Sequence, residues 1–454
     1  MKPLFIQIHT LTTYPAGLKN RDNNGLAKRI GYGDAVRERM SSQCQKYAWR
    51  TRLFDTTADG ALVPLSMADL AERVGLAMSV RSRLIFDRCI VPALTKGGMS
   101  EADAVAWANA AAALFTTKTQ ADENRANGDE DEDGDDETAT KKAPIVLGRV
   151  EIDAIVETIR LLADKGLPAH PSVLIEAVEG KPRAEKGAKK GKAATDAAAP
   201  SKVPQEIKNA VKEQLANLRA LKAHAGLDGA LFGRMITASI GSRVDAAVLV
   251  AHAFSVSAIE ADVDFFSVVD DLKTLDEDDA GASHTNTTEL TSGIMIGYAV
   301  IDVAKLAENL FAGTDPESTA AVAAWLVESF AQLAPAAKRG STAAIAHAYA
   351  TVVEIGTAQP RTLAGAFHRA LPRSREDMQE KALVRLMDHA RQMDGLHGRP
   401  QTRLLATLED YRKHATSGTT SVALASASLS EASEAVRSAV LAHAAGAVRK
   451  GEVA

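Results

Sequence analysis

"LFIQIHTLT" (residues 4–12) sets Leu4, Ile6 and Ile8 against Phe5, Gln7 and His9, a period of two. The spacing predicts a strand with one buried face, so the chain opens with β structure. Next come the turn-rich "PAGLKNRDNNG" (15–25) and "GYG" (31–33), which read as a loop. "DAVRERM" (34–40) alternates again, with Arg37 and Arg39 expected on one side and Val36 and Met40 on the other. "MSSQCQKYAWR" (40–50) then predicts a helix capped by Ser41 or Ser42.

Farther out, residues 66–225 follow a helical, alanine-rich pattern, as in "DAVAWANAAAALF" (103–115) and "EIDAIVETIRLLADKG" (151–166). Two charged segments interrupt it, 121–142 and 181–202. Both lack the aromatic and β-branched content that offsets ordering entropy, so both read as flexible loops. Strand patterning returns in "TSGIMIGYAVIDV" (291–303), just before the helical "AKLAENLF". Strands at both ends around a helical insertion predict an α+β fold whose sheet is completed from distant segments. Everything from "SREDMQEKALVRLMDHARQMDG" (374–395) onward reads as helical.

With 454 residues, 46% of them apolar and 24% charged, the chain is long enough to bury a large core. Two cysteines, Cys44 and Cys89, form no disulfide framework, and no cysteine–histidine set has zinc spacing, so a reducing cytoplasm fits. The N-terminal apolar run is broken by Gln7, His9 and Pro15, and no stretch reaches membrane-spanning length, so no membrane partner is expected. The net charge of −5 is unevenly spread. Residues 121–142 carry ten acidic and three basic side chains, whereas residues 1–60 carry ten basic and five acidic ones. Local sign decides what a face attracts, and the N-terminal unit favours anions.

In the helix after Ser41, Gln43, Lys46 and Arg50 recur at steps of three and four and share one face. A capped N-terminus leading onto two cations suits a phosphate path; an ordinary solvated basic face is the alternative. The acidic "EADVDFFSVVDDLKTLDEDD" (260–279) offers Asp262, Asp264, Asp270 and Asp271 as divalent-metal ligands for phosphodiester cleavage, yet no histidine accompanies them as acid or nucleophile. No G-x-S-x-G, P-loop or G-x-G-x-x-G motif is present, and neither a metal nor a cofactor is expected. Met235 and the pair Phe265–Phe266 are candidates for stacking on bases, with core packing as the alternative.

Seven stretches resemble one family, in family order: "FIQIHTLTTYPAGLKNRDNNGLAKRI", "RERMSSQCQKYAWR", "GALFGRM", "VDAAVLVAHAFSV", "DVDFFSVVDDL", "TSGIMIGYAVIDVAKLAENL" and "QPRTLAGAF". The family is the CasC-type backbone subunit of the type I-E CRISPR surveillance complex, Cascade. The resemblance implies a right-hand shape, with an RNA-recognition-motif-like (ferredoxin-like) palm, a large helical finger insertion and a thumb loop. It assigns residues 1–60 to the first part of the palm, 61–225 to the fingers, 226–372 to palm completion and thumb, and 373–454 to a C-terminal helical segment.

It further implies a non-enzymatic protein that stacks head to tail in several copies along one guide RNA (crRNA), beside other Cascade subunits. The subunit holds the RNA backbone while the guide pairs with target DNA. Carried over by position, Arg21, Ser41, Gln43, Lys46 and Arg50 hold the guide backbone, and Lys28 is expected to share that grip. Lys338 and Arg339 are a looser match in a basic palm loop. Met235 matches a base wedge and Phe266 the thumb residue beside a displaced nucleotide. Asp34 departs from the family, replacing a glycine, and Gln45 and Tyr47 replace a leucine and an arginine around Lys46, which shifts weight onto Lys28 and Arg29. The alternative reading is a metal-dependent ribonuclease, since related type III subunits cleave with a loop aspartate; Asp34 lies in a plausible loop, but its local pattern does not match that aspartate's and the role is not carried over to it.

Overall fold

The alternation of residues 4–12 becomes strand β1 (Phe5–Gly17), but both of its faces are buried, Gln7 and His9 included. The computed structural model describes residues 3–51, 66–115, 144–179, 203–220, 225–234, 243–268, 284–311, 315–333, 335, 339–372, 374, 377–398, 400–413 and 424–451. Two compact units divide it, one of residues 1–70, 247–307 and 313–454, the other of residues 71–246 and 308–312.

Besides β1, the strands are β2 (Arg29–Tyr32), β3 (Ala35–Met40), β4 (Val80–Ser82), β5 (Ile145–Leu147), β6 (Val248–Val250), β7 (Ala253–Ser255), β8 (Ala261–Val268), β9 (His284–Asp302), β10 (Ala348–Gly356), β11 (Thr402–Thr407) and β12 (Leu424–Ala427). In the first unit the sheet runs β12-β11-β10-β1-β9-β7-β3-β2, with β6 and β8 also paired to β9. All of these pairings are antiparallel except that of β11 with β12.

β1 lies between β9 and β10, and helices cover both sides of it. On the Leu11 side, Leu363 and Phe367 join Leu383 and Leu386 of the helix Met378–His397 in one apolar cluster. On the Thr10 side, the helix Pro316–Gln332 comes so close that a Cβ at Gly297 would lie 2.7 Å from Thr10 Oγ1 and 3.1 Å from the Phe330 ring. This double cover explains the correction to β1. Its polar residues meet protein donors instead of water: Gln7 Oε1 accepts from Tyr298 Oη (2.9 Å) and the Arg361 amide (2.7 Å), and His9 Nε2 accepts from the Leu363 amide (3.1 Å).

β3 also departs from expectation. Val36 is 51% exposed and Arg37 fully buried, the reverse of a charged outer face. The Arg37 guanidinium is drawn inward by three carbonyls, those of Ser255 (3.1 Å), Val256 (2.8 Å) and Phe367 (3.0 Å). The C-terminal stretch, read as helical, supplies β11 and β12 as well as the helices Met378–His397 and Leu429–Gly451. Buried Arg403 breaks the apolar pattern of β11 because it pairs with Glu354 and Asp394 beneath the sheet.

Among its described residues the second unit is helical apart from the β4–β5 pair and an isolated bridge between Arg234 and Val244. Ile152, Ile155, Ile159 and Leu162, on the inner face of the helix Arg149–Asp164, pack with Leu94, Trp107, Leu174 and Val211. Inside it Glu151 accepts from the Gly148 amide (2.9 Å) and takes both arms of Arg234. The two charged segments fall outside the described residues.

Candidate nucleic-acid interface

Helix α1 (Ser42–Arg50) follows β3 directly. Ser41 is extended at φ −69°, ψ 154°, and its Oγ accepts from the Cys44 amide (3.3 Å), the capping geometry its sequence predicts. Ala48 and Trp49 are buried, Trp49 edge-on to Phe330 at 5.2 Å between centroids. Gln45, which departs from the family pattern, is buried and donates to the Ala251 carbonyl (2.9 Å). With that face committed inward, Gln43 is exposed and Lys46 and Arg50 are half-buried at the surface, while Tyr47 is 64% exposed. Partial burial pulls the Lys46 ammonium below its ordinary pKa.

The loop before β2 is joined to the start of α1. Asn20 Oδ1 accepts from the Ser41 amide (3.0 Å), and the Asn20 carbonyl accepts from the Lys28 amide (2.8 Å). Asp22 Oδ1 accepts from the amides of Asn24 and Leu26 (2.9 Å each), closing the turn in which Gly25 takes φ +83°. Exposed Arg21 and half-buried Lys28 therefore stand beside the N-terminus of α1, in one unit with Gln43, Lys46 and Arg50. Ser41 is only 8% exposed and serves as the internal cap.

Beneath the loop lies a charged layer. Lys19 Nζ donates to the Thr291 carbonyl (2.8 Å) and Oγ1 (3.0 Å) and pairs with Glu38 (3.2 Å), 5.4 Å above the Tyr14 ring. Burial lowers the Lys19 pKa and raises that of Glu38, and each partner's charge opposes the other's shift. Glu289 accepts from the Ala27 amide (2.6 Å) and pairs with Arg29, so β9 holds the loop at a second point. Asn20, Lys19, Glu38 and Glu289 carry no local signature of this role, because Lys19 and Thr291 are 272 positions apart. The Asp22 turn was the one legible part, in "NRDNNG".

Other expected residues lie elsewhere or beyond description. Met235 and Lys338 are outside the described residues, as are Asp270 and Asp271, and only the backbone is described for Arg339 and Phe266. Phe266 pairs with Asn286 in the β8–β9 hairpin, and its neighbour Phe265 is 65% exposed. Asp262 and Asp264 are exposed on β8, and among the described residues no three His, Cys, Asp or Glu side chains gather around a common point. Asp34 Oδ1 accepts from the Ala370 amide (2.7 Å) and from Arg37 (3.4 Å), and the Ala370 bond holds its carboxyl below the usual range. Its backbone φ is not positive, so this position does not require glycine; Gly33 does, at φ +63° with the His368 carbonyl 1.6 Å from where a Cβ would sit. No described helix is long and apolar enough to cross a membrane.

The family model for CT1975-like protein matches residues 6–435. Among solved structures, a chain of a CRISPR RNA-guided surveillance complex, pre-nicking, superposes with a TM-score of 0.66 at 21% identity, covering 96% of this chain and 99% of that one. A chain of a second CRISPR RNA-guided surveillance complex gives 0.50 at 19% identity with the same coverage. These likenesses establish a shared mixed α/β fold. No curated protein matches the chain.

Proposed function

The chain belongs to the CT1975-like protein family, and from that premise we propose that it is the guide-RNA-binding backbone subunit of a type I-E CRISPR interference complex. Several copies stack head to tail along one crRNA, each an RNA-recognition-motif-like palm with helical fingers and a thumb, and together they support pairing of the guide with target DNA. One observation carries the reading: the capped helix α1 and the Asn20–Lys28 loop are fixed to each other, and together present Arg21, Lys28, Gln43, Lys46 and Arg50 on one unit. Such a surface, rich in phosphate-type donors, suits a grip on the backbone irrespective of sequence. The fold it shares with subunits of RNA-guided surveillance complexes supports the same reading.

We read the subunit as a scaffold rather than a nuclease. Asp34, the loop aspartate a ribonuclease would need, is engaged by the Ala370 amide and Arg37. The test is purification together with its neighbouring genes. Small RNA of uniform length that co-elutes with the protein, and survives incubation with Mg²⁺ uncut, supports a guide-bound scaffold. RNA-free protein refutes it, and cutting of RNA paired to the guide, abolished in Asp34→Ala, restores the nuclease reading.

A further inference from the structure

A group of basic side chains that includes residues unassigned above lies beside α1. Arg39, half-buried near the end of β3, directs Nη1 at Nδ1 of exposed His252, 3.4 Å away. A guanidinium only donates, so Nδ1 is an acceptor and the neutral ring carries its proton on Nε2. The Arg39 amide donates to the Lys28 carbonyl (2.8 Å), which brings the loop alongside. The segment bearing His252 is held from two directions: Gln45 donates to the Ala251 carbonyl, and the Ala251 amide donates to the Tyr298 carbonyl (2.9 Å each).

Arg39 from β3 faces the His252 ring, and the charge of Lys28 in the loop also acts on it; α1 contributes uncharged Gln45 to the backbone next to it. Burial, then Arg39 and then Lys28, hold the imidazole below its ordinary pKa. Arg39 Nε is buried without a hydrogen-bond partner, and among the described residues no carboxylate pairs with Lys28 or Arg39. Arg39 and His252 thus meet without a counter-charge, with Lys28 held alongside by its backbone, an arrangement that an anion relieves.

We propose that Lys28, Arg39 and His252 form a phosphate pocket beside the α1 cations, and that a proton on His252 sets its affinity. The identity of the phosphate as an RNA phosphodiester rests on the function proposed above; the pocket itself does not. In the free protein His252 is neutral at pH 8. A bound phosphate accepts from Arg39 and Lys28 and favours the imidazolium, which takes a proton at Nδ1 as Arg39 turns to the anion. Since the complex binds a proton that the free protein lacks, affinity rises as pH falls from 8 to 6, and levels off once the free ring is protonated.

Two measurements on the full chain decide it. Histidine-ring NMR, with His252 assigned through His252→Gln, follows its titration with and without inorganic phosphate at fixed ionic strength. Binding of a labelled mixed-sequence single-stranded RNA is measured at pH 8 and pH 6. Phosphate is expected to raise the His252 pKa, and Arg39→Gln to abolish that rise. Wild-type protein is expected to bind the RNA about three- to tenfold tighter at pH 6, a gain lost in His252→Gln, with both variants melting as the wild type does. A His252 titration indifferent to phosphate, or a pH 6 gain that persists in His252→Gln, overturns the pocket. A phosphate-raised pKa in a protein that binds no RNA leaves the pocket standing and overturns the proposed function instead.

Discussion

His9 sits in the central strand, stacked on Tyr298 at 4.5 Å between centroids, with Nε2 accepting from the Leu363 amide and Nδ1 finding no partner among the described residues. Burial, reinforced by Arg403 and Arg361, holds its pKa down at about 3. The unfolded chain therefore binds a proton at this ring below about pH 6.5 that the folded protein refuses until about pH 3. Stability contributed above pH 6.5 is lost as pH falls through that window, by about 1.4 kcal/mol per pH unit. Urea unfolding at pH 7 and pH 5 is expected to show this loss in the wild type and much less in His9→Gln, which keeps an acceptor for Leu363; equal slopes in both proteins would place the titration elsewhere. Lys19 gives a second prediction at this scale. Lys19→Met leaves Glu38 charged and buried beside Thr291, at a cost of about 3–5 kcal/mol. The double variant Lys19→Met/Glu38→Gln is expected to recover a large part of that loss in thermal melts. If single and double variants melt together, the pair is not coupled.

Helix α1 is the element whose sequence and structure agree most closely, and the reason is that its signals are local. A serine cap, buried Ala48 and Trp49, and outward positions at steps of three and four are all readable within eleven residues. β1 and β9 were legible for the same reason, as runs of period two or of apolar residues. Arg37, Lys19 and β11 were not. Their burial depends on the Phe367 carbonyl, Thr291 and Glu354, contributed by segments distant in sequence, and a buried charge imitates a solvent-facing one in any local pattern. The same blindness hid the Asn20–Ser41 bond that joins loop and helix, although the outward cations themselves could be named. At this scale the proposed function predicts that Lys46→Ala and Arg50→Ala each weaken RNA binding about equally for unrelated guide sequences. Each is expected to flatten the logarithmic salt dependence by about one unit, since a phosphate contact releases counterions and reads no base. Loss confined to particular sequences, with the slope intact, would assign α1 to base recognition instead.

For the whole molecule, the sign of charge differs between stretches of one chain: residues 1–60 carry a net +5 and residues 121–142 a net −7. Under the proposed function, a protein of net charge −5 must hold its polyanion through a confined basic surface, with the remainder of the molecule repelling the ligand. Under the proposed function this surface is used once per copy, and copies meet through unlike faces. Such heterologous contacts do not close by themselves and extend as long as the ligand extends. The subunit alone is therefore expected to sediment without a fixed closed oligomer. Added RNA is expected to drive assembly in steps, each lengthening of the RNA by one subunit's footprint admitting one further copy. Raising the salt should dissolve the assembly, because RNA contacts supply much of its free energy. Sedimentation velocity across a ladder of RNA lengths makes the decision: a staircase of masses supports stacking along the guide, whereas an RNA-free ring of constant mass, or one copy on every length, refutes it.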